Sequence, residues 1–407
     1  MSLRMYVKFL TGAAIVALAA SGCGANQGSV PAGPDSTTMQ TVHAPGASPA
    51  KSDKSILGQL KNQVVIGSTI DSVYGQLNPY GLDVAKSTNG AFTKGDLAVC
   101  NFNDNTNTQG TGYTIVALHP TPGSSPALVA ADPTTLTGCD ALALGPDDTM
   151  YAAAFSSNDN PVFSSSGMLE TNLSGPPFNH PFGQIYAQPQ HGQNGQGQNG
   201  QDGQNGQGNQ NGQGNGNKHA SAALYESNAG DGSIVRIDPK SLQSEVVATG
   251  FPVNGGPPGS ILGPSGLQYE AKHDTLFVVD GQNNSVTELT KVSGMHGGCL
   301  KVRSNGTRFD GPCKSHAKVL FSGPPLNGPI SSALLFNGSV VIGNTLDATG
   351  ENLMIEISTN GKVLNVRNVD TGPGGSLFGM VATGTNAANT KLYFNDDNDN
   401  NLQVLER

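Results

Sequence analysis

Apolar residues fall in short runs that alternate with polar residues, and turn-forming residues separate the runs. One such unit begins at Pro264, continues through the apolar run Leu276 to Asp280 and ends with the alternating segment Val286 to Leu289. Alternation with a period of two, bounded by Gly, Pro, Asn and Asp, is typical of β-strands joined by tight turns. The pattern therefore predicts a chain built from many short strands.

The same unit recurs along the chain. A second sharp copy spans residues 375–405, and weaker copies begin near residues 79, 139, 181 and 331. Repeats of about 40 to 50 residues that each carry several short strands are typical of propeller blades. The sequence predicts an all-β fold, a six-bladed β-propeller. A seventh blade would have to lie within residues 158–177.

The two ends of the repeat region complement each other. The last blade holds three strands up to Leu405, whereas residues 62–67 form an orphan strand ahead of the first blade. We expect the orphan strand to complete the last blade, because this exchange closes the ring and removes exposed sheet edges.

The two sharp copies resemble NHL repeats. In that family a Pro-x-Gly start precedes a Leu-Tyr/Phe-Val-x-Asp second strand and an Asn-Asn-x-Val third strand, and Leu276 to Leu289 fits the pattern closely. The resemblance covers residues 64–407 and implies an NHL-type propeller. It implies a fold and no particular function.

The first residues have the features of an export signal. Arg4 and Lys8 precede an apolar stretch, residues 9–20, that is too short to span a bilayer. The following Ser-Gly-Cys, ending at Cys23, resembles the lipobox of bacterial lipoproteins. This implies that residues 1–23 are a lipoprotein signal and that Cys23 is lipidated. The protein would then be anchored to the cell envelope, at the outer membrane or the cell surface. Ala20 stands where leucine is commoner, so ordinary cleavage and secretion remain open.

Two segments lack hydrophobic periodicity. Residues 24–61 are rich in Ala, Pro, Ser, Gly and Thr, which predicts a flexible tether. Residues 190–217 are almost entirely Gly, Asn and Gln and cannot bury apolar surface. Strand-like sequence resumes on both sides of this tract, so we interpret it as a disordered insertion within a propeller domain at residues 62–407.

Charge excludes one class of partner. Only 13% of the residues are charged, the net charge is −9, and no Lys or Arg cluster follows the signal. Nucleic-acid binding needs a concentrated basic surface. We therefore expect no nucleic-acid partner. We also expect a monomer, with membrane contact only through the lipid anchor.

Export changes how the remaining cysteines are interpreted, because disulfides persist in oxidising compartments. Cys100, Cys139, Cys299 and Cys313 permit three connectivities. A bridge between Cys299 and Cys313 would close a short glycine-rich excursion, which leaves Cys100 to pair with Cys139. Buried free thiols are the alternative.

An acidic cluster near the C-terminus has partial calcium-loop spacing. Asp397, Asp399 and Asn401 match ligand positions, but Leu402 replaces the loop glycine and the distal glutamate position lies beyond Arg407. Similar Asn- and Asp-rich turns recur at the same phase of other repeats, which favours backbone capping over a metal site. We predict no metal ligands and no cofactor; a bound Ca²⁺ or other divalent metal is the alternative.

The start of each inner strand would face the central channel. The candidate channel-mouth residues are Asn78, Tyr80, Asp140, His180, Ser265, Ser331 and Ser376. Six-bladed lactonases of the gluconolactonase type hold a divalent metal there through one glutamate, two asparagines and an aspartate, and no glutamate is among these positions. Virginiamycin-lyase-like propellers use a histidine as general base beside a metal, and His180 is the only histidine at a blade start.

The missing catalytic set favours a surface-tethered, non-catalytic propeller that binds a protein, peptide or glycan partner. The alternative is a metal-dependent lactonase-like or lyase-like enzyme with a site at the channel mouth around Asn78, Asp140 and His180. No catalytic residue is assigned from the sequence alone.

Overall fold

The structure is a computed structural model that describes residues 54–190 and 221–407. The predicted signal, Cys23, the tether up to residue 53 and the insertion from residue 191 onward lie outside the described residues. No helix among the described residues is long and apolar enough to cross a membrane.

The described residues form short strands throughout, with three brief 3-10 helices at Leu57–Gln59, Val292–Gly294 and Lys314–His316. In chain order the strands are β1 (Asn62–Ser68), β2 (Leu77–Val84), β3 (Leu97–Asn103), β4 (Thr114–Leu118), β5 (Ala127–Ala131), β6 (Cys139–Leu144), β7 (Met150–Ala154), β8 (Asp159–Phe163), β9 (Leu169–Ser174), β10 (Pro181–Ala187), β11 (Ala223–Asn228), β12 (Ser233–Ile237), β13 (Ser244–Thr249), β14 (Pro264–Glu270), β15 (Thr275–Asp280), β16 (Ser285–Thr290), β17 (Leu300–Val302), β18 (Phe309–Asp310), β19 (Ala317–Ser322), β20 (Pro329–Leu334), β21 (Val340–Asn344), β22 (Asn352–Ile357), β23 (Val363–Asp370), β24 (Met380–Thr383), β25 (Lys391–Asp396) and β26 (Asn401–Glu406).

These strands make six sheets, each a blade, and in five of the blades the strands lie side by side in chain order. Blades 1 to 5 begin with β2, β6, β10, β14 and β20, and blade 6 has the order β1-β26-β25-β24. The prediction of an all-β, six-bladed propeller is confirmed. Ring closure is confirmed as well, because β1 pairs antiparallel with β26 from Asn62 opposite Glu406 to Ser68 opposite Asn401.

The hydrophobic core lies between neighbouring blades. Every residue of β3, β7, β11 and β15 is buried, since each of these second strands is covered on both faces by adjacent blades. At the seam of blades 6 and 1, Leu97 and Val99 pack with Tyr393 and Val404. The seam between the first and last blades is thus a packed core like the others.

Asparagine side chains join successive blades. At three seams a turn asparagine accepts a backbone N–H at the start of the next blade at 2.7 Å: Asn400 from Asn78, Asn158 from His180 and Asn284 from Gly328. All three asparagines adopt a left-handed backbone with φ between 50° and 57°, which asparagine tolerates better than most residues. These three turn asparagines therefore connect the end of one blade to the start of the next.

Both predicted disulfides are present. Cys100 and Cys139 bridge blades 1 and 2 with a Cα–Cα distance of 5.4 Å, and Cys299 and Cys313 close a loop with a distance of 5.2 Å. The loop between the second pair was not expected to hold strands. It contains β17, which adds to blade 3 by parallel pairing with β13, and β18.

The chain enters the propeller earlier than the predicted boundary at residue 62. Leu57 and Leu60 are fully buried. The backbone N–H groups of Ile56 and Leu57 donate to the Glu356 carboxylate at 3.1 and 2.9 Å. The last residues of the expected tether are therefore packed against blade 5.

Candidate functional site

The first strands of the six blades surround a central channel of about 90 Å³. The glycine of the Pro-x-Gly motif explains how closely these strands approach. A Cβ added to Gly183 would lie 2.0 Å from the Ser265 carbonyl oxygen, and one added to Gly266 would lie 2.5 Å from the Ile330 carbonyl oxygen. A side chain at either position would push the first strands of neighbouring blades apart, so the motif allows the channel wall to close in these blades.

Equivalent residues of the six first strands stand at the channel mouth, and five of them line the channel: Tyr80, Asp140, Phe182, Ile330 and Phe378. Ser265 is the equivalent residue of blade 4 and does not line the channel. Asp140 is the one carboxylate among these six side chains. The strands place it there because the register of β6 against β7 shifts between Cys139 and Ala141, at the same point where β2 and β10 shift.

Asp140 is 5% exposed and lines the channel. Its Oδ2 has no hydrogen-bond partner among the described residues. Burial raises the pKa of the Asp140 carboxyl well above its usual range, because water no longer solvates the charge. A carboxyl with such a pKa exchanges a proton at a higher pH than an ordinary aspartate does.

Tyr80 lies beside Asp140 in the same ring. Its ring stacks between Phe102 at 4.2 Å and Phe378 at 3.5 Å, and its hydroxyl lies 3.5 Å from Oε1 of Gln109. Burial, followed by the charges of Asp397 and Asp140, raises the pKa of Tyr80 well above its usual value. The hydroxyl therefore keeps its proton and acts only as a neutral donor or acceptor near pH 7.

Asp397 reaches this region from the turn after β25. Burial and the neighbouring Asp396 raise the pKa of Asp397 to about 8. Oδ1 of Asp397 and Oγ of Ser376 are buried without hydrogen-bond partners among the described residues, and the Asp397 backbone N–H donates to the Ser376 carbonyl at 3.0 Å. The sequence pattern indicated only a turn here. The signal that could have found Asp397 is the position of its turn in the repeat, because this turn lies on the same face of the propeller as the starts of the blades.

A layer of aromatic side chains covers the mouth. Tyr80, Phe102, Phe155 and Phe182 are buried in one cluster with Ile330. Two loops meet above this cluster, residues 104–111 of blade 1 and residues 252–263 between blades 3 and 4.

The contact between the two loops is tight. A Cβ added to Gly110 would lie 3.0 Å from Cβ of Pro258, and one added to Gly259 would lie 2.6 Å from Oε1 of Gln109. Because ligand pockets usually hold about 300 to 1,000 Å³, a substrate would need to displace part of this cover.

Asn78 and His180 do not join Asp140 in the channel lining. Both have left-handed φ values, 58° and 49°, at the first turn of their blades. The His180 ring stacks on Phe155 at 4.5 Å, and its Nδ1 lies 3.1 Å from the Phe155 carbonyl oxygen. The proposed grouping of Asn78, Asp140 and His180 is therefore corrected, because a turn conformation directs two of its members elsewhere.

The three candidate serines, Ser265, Ser331 and Ser376, also differ in whether they line the channel. Ser331 lines the channel, and its Oγ has no hydrogen-bond partner among the described residues. Ser376 is fully buried beside Asp397, as described above. Oγ of Ser265 lies 3.4 Å from the Val279 carbonyl oxygen of its own blade, so this hydroxyl is directed into the sheet.

The donor set at the mouth does not fit a resident divalent ion. Within the described residues, no group of three or more His, Cys, Asp or Glu side chains is placed to hold a metal. Asp140 offers one carboxylate with serine hydroxyls nearby, whereas calcium in proteins takes six to eight oxygens rich in carboxylate and carbonyl groups. No chemical step is therefore assigned to a metal at this place.

Solved structures that this chain is similar to include lactonase- and lyase-type six-bladed propellers. A calcium-binding protein, regucalcin, from Agrobacterium tumefaciens has 14% identity and a TM-score of 0.51, with 84% of this chain and 93% of that chain covered. A gluconolactonase from Xanthomonas campestris has 10% identity and a TM-score of 0.51, with coverage of 85% and 97%. Virginiamycin B lyase from Staphylococcus aureus has 13% identity and a TM-score of 0.47, with coverage of 85% and 99%. No protein-family model and no curated protein matches the chain.

At these identities the likeness establishes the fold alone. It nevertheless corrects one expectation from the sequence. The preference for a non-catalytic protein that binds a protein, peptide or glycan is wrong, because the structures that share this fold include a gluconolactonase. The alternative, an enzyme with its site at the channel mouth, is the better-supported hypothesis.

Proposed function

We propose that this protein is a hydrolase of cyclic or simple esters whose site is the channel mouth, with Asp140 as the acid–base residue. The observation that carries the proposal is the position of Asp140 in the channel wall, buried and with an oxygen that lacks a partner among the described residues. A buried carboxyl with a raised pKa in the wall of a cavity is a candidate for acid–base chemistry. The choice of ester substrates rests on the fold it shares with a gluconolactonase.

Asp140 and Tyr80 have different roles in the proposed reaction. Ionised Asp140 accepts a proton from a water molecule as the water oxygen bonds to the ester carbonyl carbon. The Tyr80 hydroxyl, which keeps its proton, donates a hydrogen bond to the carbonyl oxygen as negative charge develops there. When the ester C–O bond breaks, Asp140 returns the proton to the leaving alkoxide, which gives a carboxylic acid and an alcohol. A raised pKa suits Asp140 to both transfers near neutral pH.

Activity against a panel of aldonolactones, γ-lactones and p-nitrophenyl acetate tests the proposal. We expect Asp140→Asn to lower kcat/KM at least about 100-fold, the usual effect of losing a general acid–base residue. Asp159→Asn is the matched control, because Asp159 is also buried with an unpaired oxygen but lies on β8, outside the channel lining. Equal activity of wild type and Asp140→Asn, or no activity of wild type on any member of the panel, would contradict the proposal.

We also propose that the protein is exported as a monomer and anchored through Cys23, with a tether that leads to an NHL-type propeller. The support is the basic start, the apolar stretch and the lipobox-like residues before Cys23, together with the NHL-like pattern of residues 264–289. The residues that carry the export signal lie outside the described residues.

Metabolic labelling with radioactive palmitate tests the anchor. We expect label and membrane association for wild type and neither for Cys23→Ser. Unlabelled wild-type protein in the culture medium would show ordinary cleavage and secretion instead.

A further inference from the structure

One side chain in the apolar layer over the channel mouth comes from a loop and not from a blade. Ile261, in the loop of residues 252–263, is buried in the same cluster as the aromatic side chains Tyr80, Phe102, Phe155 and Phe182. Ile261 is 3% exposed, and it is the only buried residue of this loop as far as Leu262. The loop therefore places a single apolar side chain in the layer above the channel.

Hydrogen bonds within this loop hold its shape. Oδ1 of Asn254 accepts the backbone N–H groups of Gly256 and Leu262 at 3.0 and 2.9 Å. Nδ2 of the same asparagine donates to the Ser260 carbonyl oxygen at 2.9 Å. These bonds would be kept if the loop moved away from the mouth as one unit. Such a movement gives up the packing of Ile261 and the contact with the facing loop of blade 1.

The surface beneath this loop is mostly apolar. Phe182, Ile330 and Phe378 line the channel together with Asp140 and Tyr80, which carry the polar side-chain atoms among these five residues. A lactone that bears several hydroxyl groups would bury some of them against phenyl rings without hydrogen-bond partners, which is unfavourable. An alkyl group would lose no hydrogen bonds there and would leave water. The mouth therefore favours a substrate with an apolar substituent.

We propose that the substrate ester carries an apolar substituent of about four carbons, which takes the place of Ile261 in the aromatic cluster. The size is that of the isoleucine side chain, because a close-packed cluster best tolerates a replacement of similar volume. The loop withdraws when a substrate enters, and the substituent restores the packing that Ile261 gives up. This inference rests on the proposed hydrolysis at Asp140, and it makes Ile261 an internal competitor of the substrate.

A series of γ-lactones, assayed with the full-length protein, tests the substrate class. γ-Butyrolactone has no substituent, γ-octalactone carries a butyl group, γ-undecalactone carries a heptyl group, and D-glucono-γ-lactone carries hydroxyl groups on the same ring. Each buried methylene strengthens binding about fourfold. We therefore expect kcat/KM to rise at least about tenfold from γ-butyrolactone to γ-octalactone and to level off at γ-undecalactone. Equal values across the series, or a preference for D-glucono-γ-lactone, would overturn the substrate class.

Two variants test where the substituent binds. Ile261→Ala removes most of the buried side chain, so the loop withdraws more easily and kcat/KM should rise at least about tenfold for every lactone. Phe155→Leu enlarges the cluster, so the rise should continue from γ-octalactone to γ-undecalactone. Ile234→Ala is the control and should change neither result, because Ile234 is fully buried in a different cluster. Wild-type behaviour of both Ile261→Ala and Phe155→Leu would contradict the proposed place.

Binding of the matching lactams, which have no ester bond to hydrolyse, separates this inference from the proposed function. Isothermal titration calorimetry should show affinity rising at least about tenfold from pyrrolidin-2-one to 5-butylpyrrolidin-2-one. If wild type hydrolyses no ester, that rise would still support the apolar mouth although the hydrolase is contradicted. Hydrolysis of all the lactones at equal rates, with equal affinity for both lactams, would leave the hydrolase standing and overturn this inference.

Discussion

Burial controls the protonation of individual carboxyls on the face of the channel mouth. It raises the pKa of Asp396 to about 7 and, with the help of Asp396, the pKa of Asp397 to about 8. An aspartate in the unfolded chain titrates near about 3.9. Between these pH values the folded protein keeps protons that the unfolded chain releases, so the free energy of unfolding falls as pH rises from about 4 to about 8.

The stability of Asp397→Asn should consequently depend less on pH. We expect the free energy of unfolding of wild type to fall between pH 5 and pH 8, and the fall to be smaller in Asp397→Asn, because the amide cannot ionise. Urea unfolding at a series of pH values measures this. Asp238→Asn serves as control, since backbone hydrogen bonds lower the pKa of the Asp238 carboxyl and its titration lies below this range. Parallel curves for wild type and Asp397→Asn would contradict the assignment.

Sequence reasoning could place Asp140 on the channel, because its position follows from the phase of the repeat. It could not show that Oδ2 of Asp140 has no hydrogen-bond partner among the described residues, since this depends on side chains from other blades. His180 and Asn78 share the phase of a blade start, yet their left-handed turns remove them from the channel lining. Asp397 was missed as a mouth residue because only the closed ring brings the last blade beside Tyr80.

At the scale of elements, the turn asparagines hold the blades in register. Asn284 combines a left-handed φ of 50° with a 2.7 Å bond from the Gly328 N–H. Asn284→Ala should lower the free energy of unfolding by about 2 to 3 kcal/mol, because it removes a hydrogen bond and leaves a disfavoured backbone conformation.

Asn284→Gly separates these two effects, because glycine accepts the backbone but makes no bond. Asn284→Gly should lower the free energy of unfolding by about 1 kcal/mol, which is the contribution of the hydrogen bond alone. Urea unfolding measures both variants. Equal losses for the two variants would show that backbone conformation contributes nothing here.

The repeat pattern predicted three strands in each of the two sharp copies, because each of these strands alternates over several residues, and fewer strands in the weaker copies. Strands β17 and β18 were not predicted, since three and two residues are too few to show a period. The segment of residues 54–61 was assigned to the tether by composition, although Ile56, Leu57 and Leu60 pack against blades 5 and 6. The composition of a whole segment is an average, so it does not reveal that three apolar side chains within the segment are placed to pack against the propeller.

At the scale of the whole molecule, two covalent links add to the closed ring. The Cys100–Cys139 bridge closes a longer loop, with a sequence separation of 39 against 14 for Cys299–Cys313. On the chain-entropy relation, the longer loop contributes about 4 kcal/mol and the shorter about 3 kcal/mol.

We therefore expect Cys100→Ala with Cys139→Ala to lower stability more than Cys299→Ala with Cys313→Ala. Guanidinium unfolding under non-reducing conditions compares the two double variants. The reverse order would mean that native packing around the bridges, and not loop closure, dominates their contribution.

The central claim is that Asp140 performs acid–base chemistry at the channel mouth, and the pH dependence of kcat/KM tests it most directly. On the best ester or lactone of the panel, wild type should show an ionisation well above the usual range of aspartate, because burial raises the pKa of Asp140. In Asp140→Asn that ionisation should disappear together with most of the activity, whereas Asp159→Asn should keep both. A profile that Asp140→Asn leaves unchanged would contradict the claim.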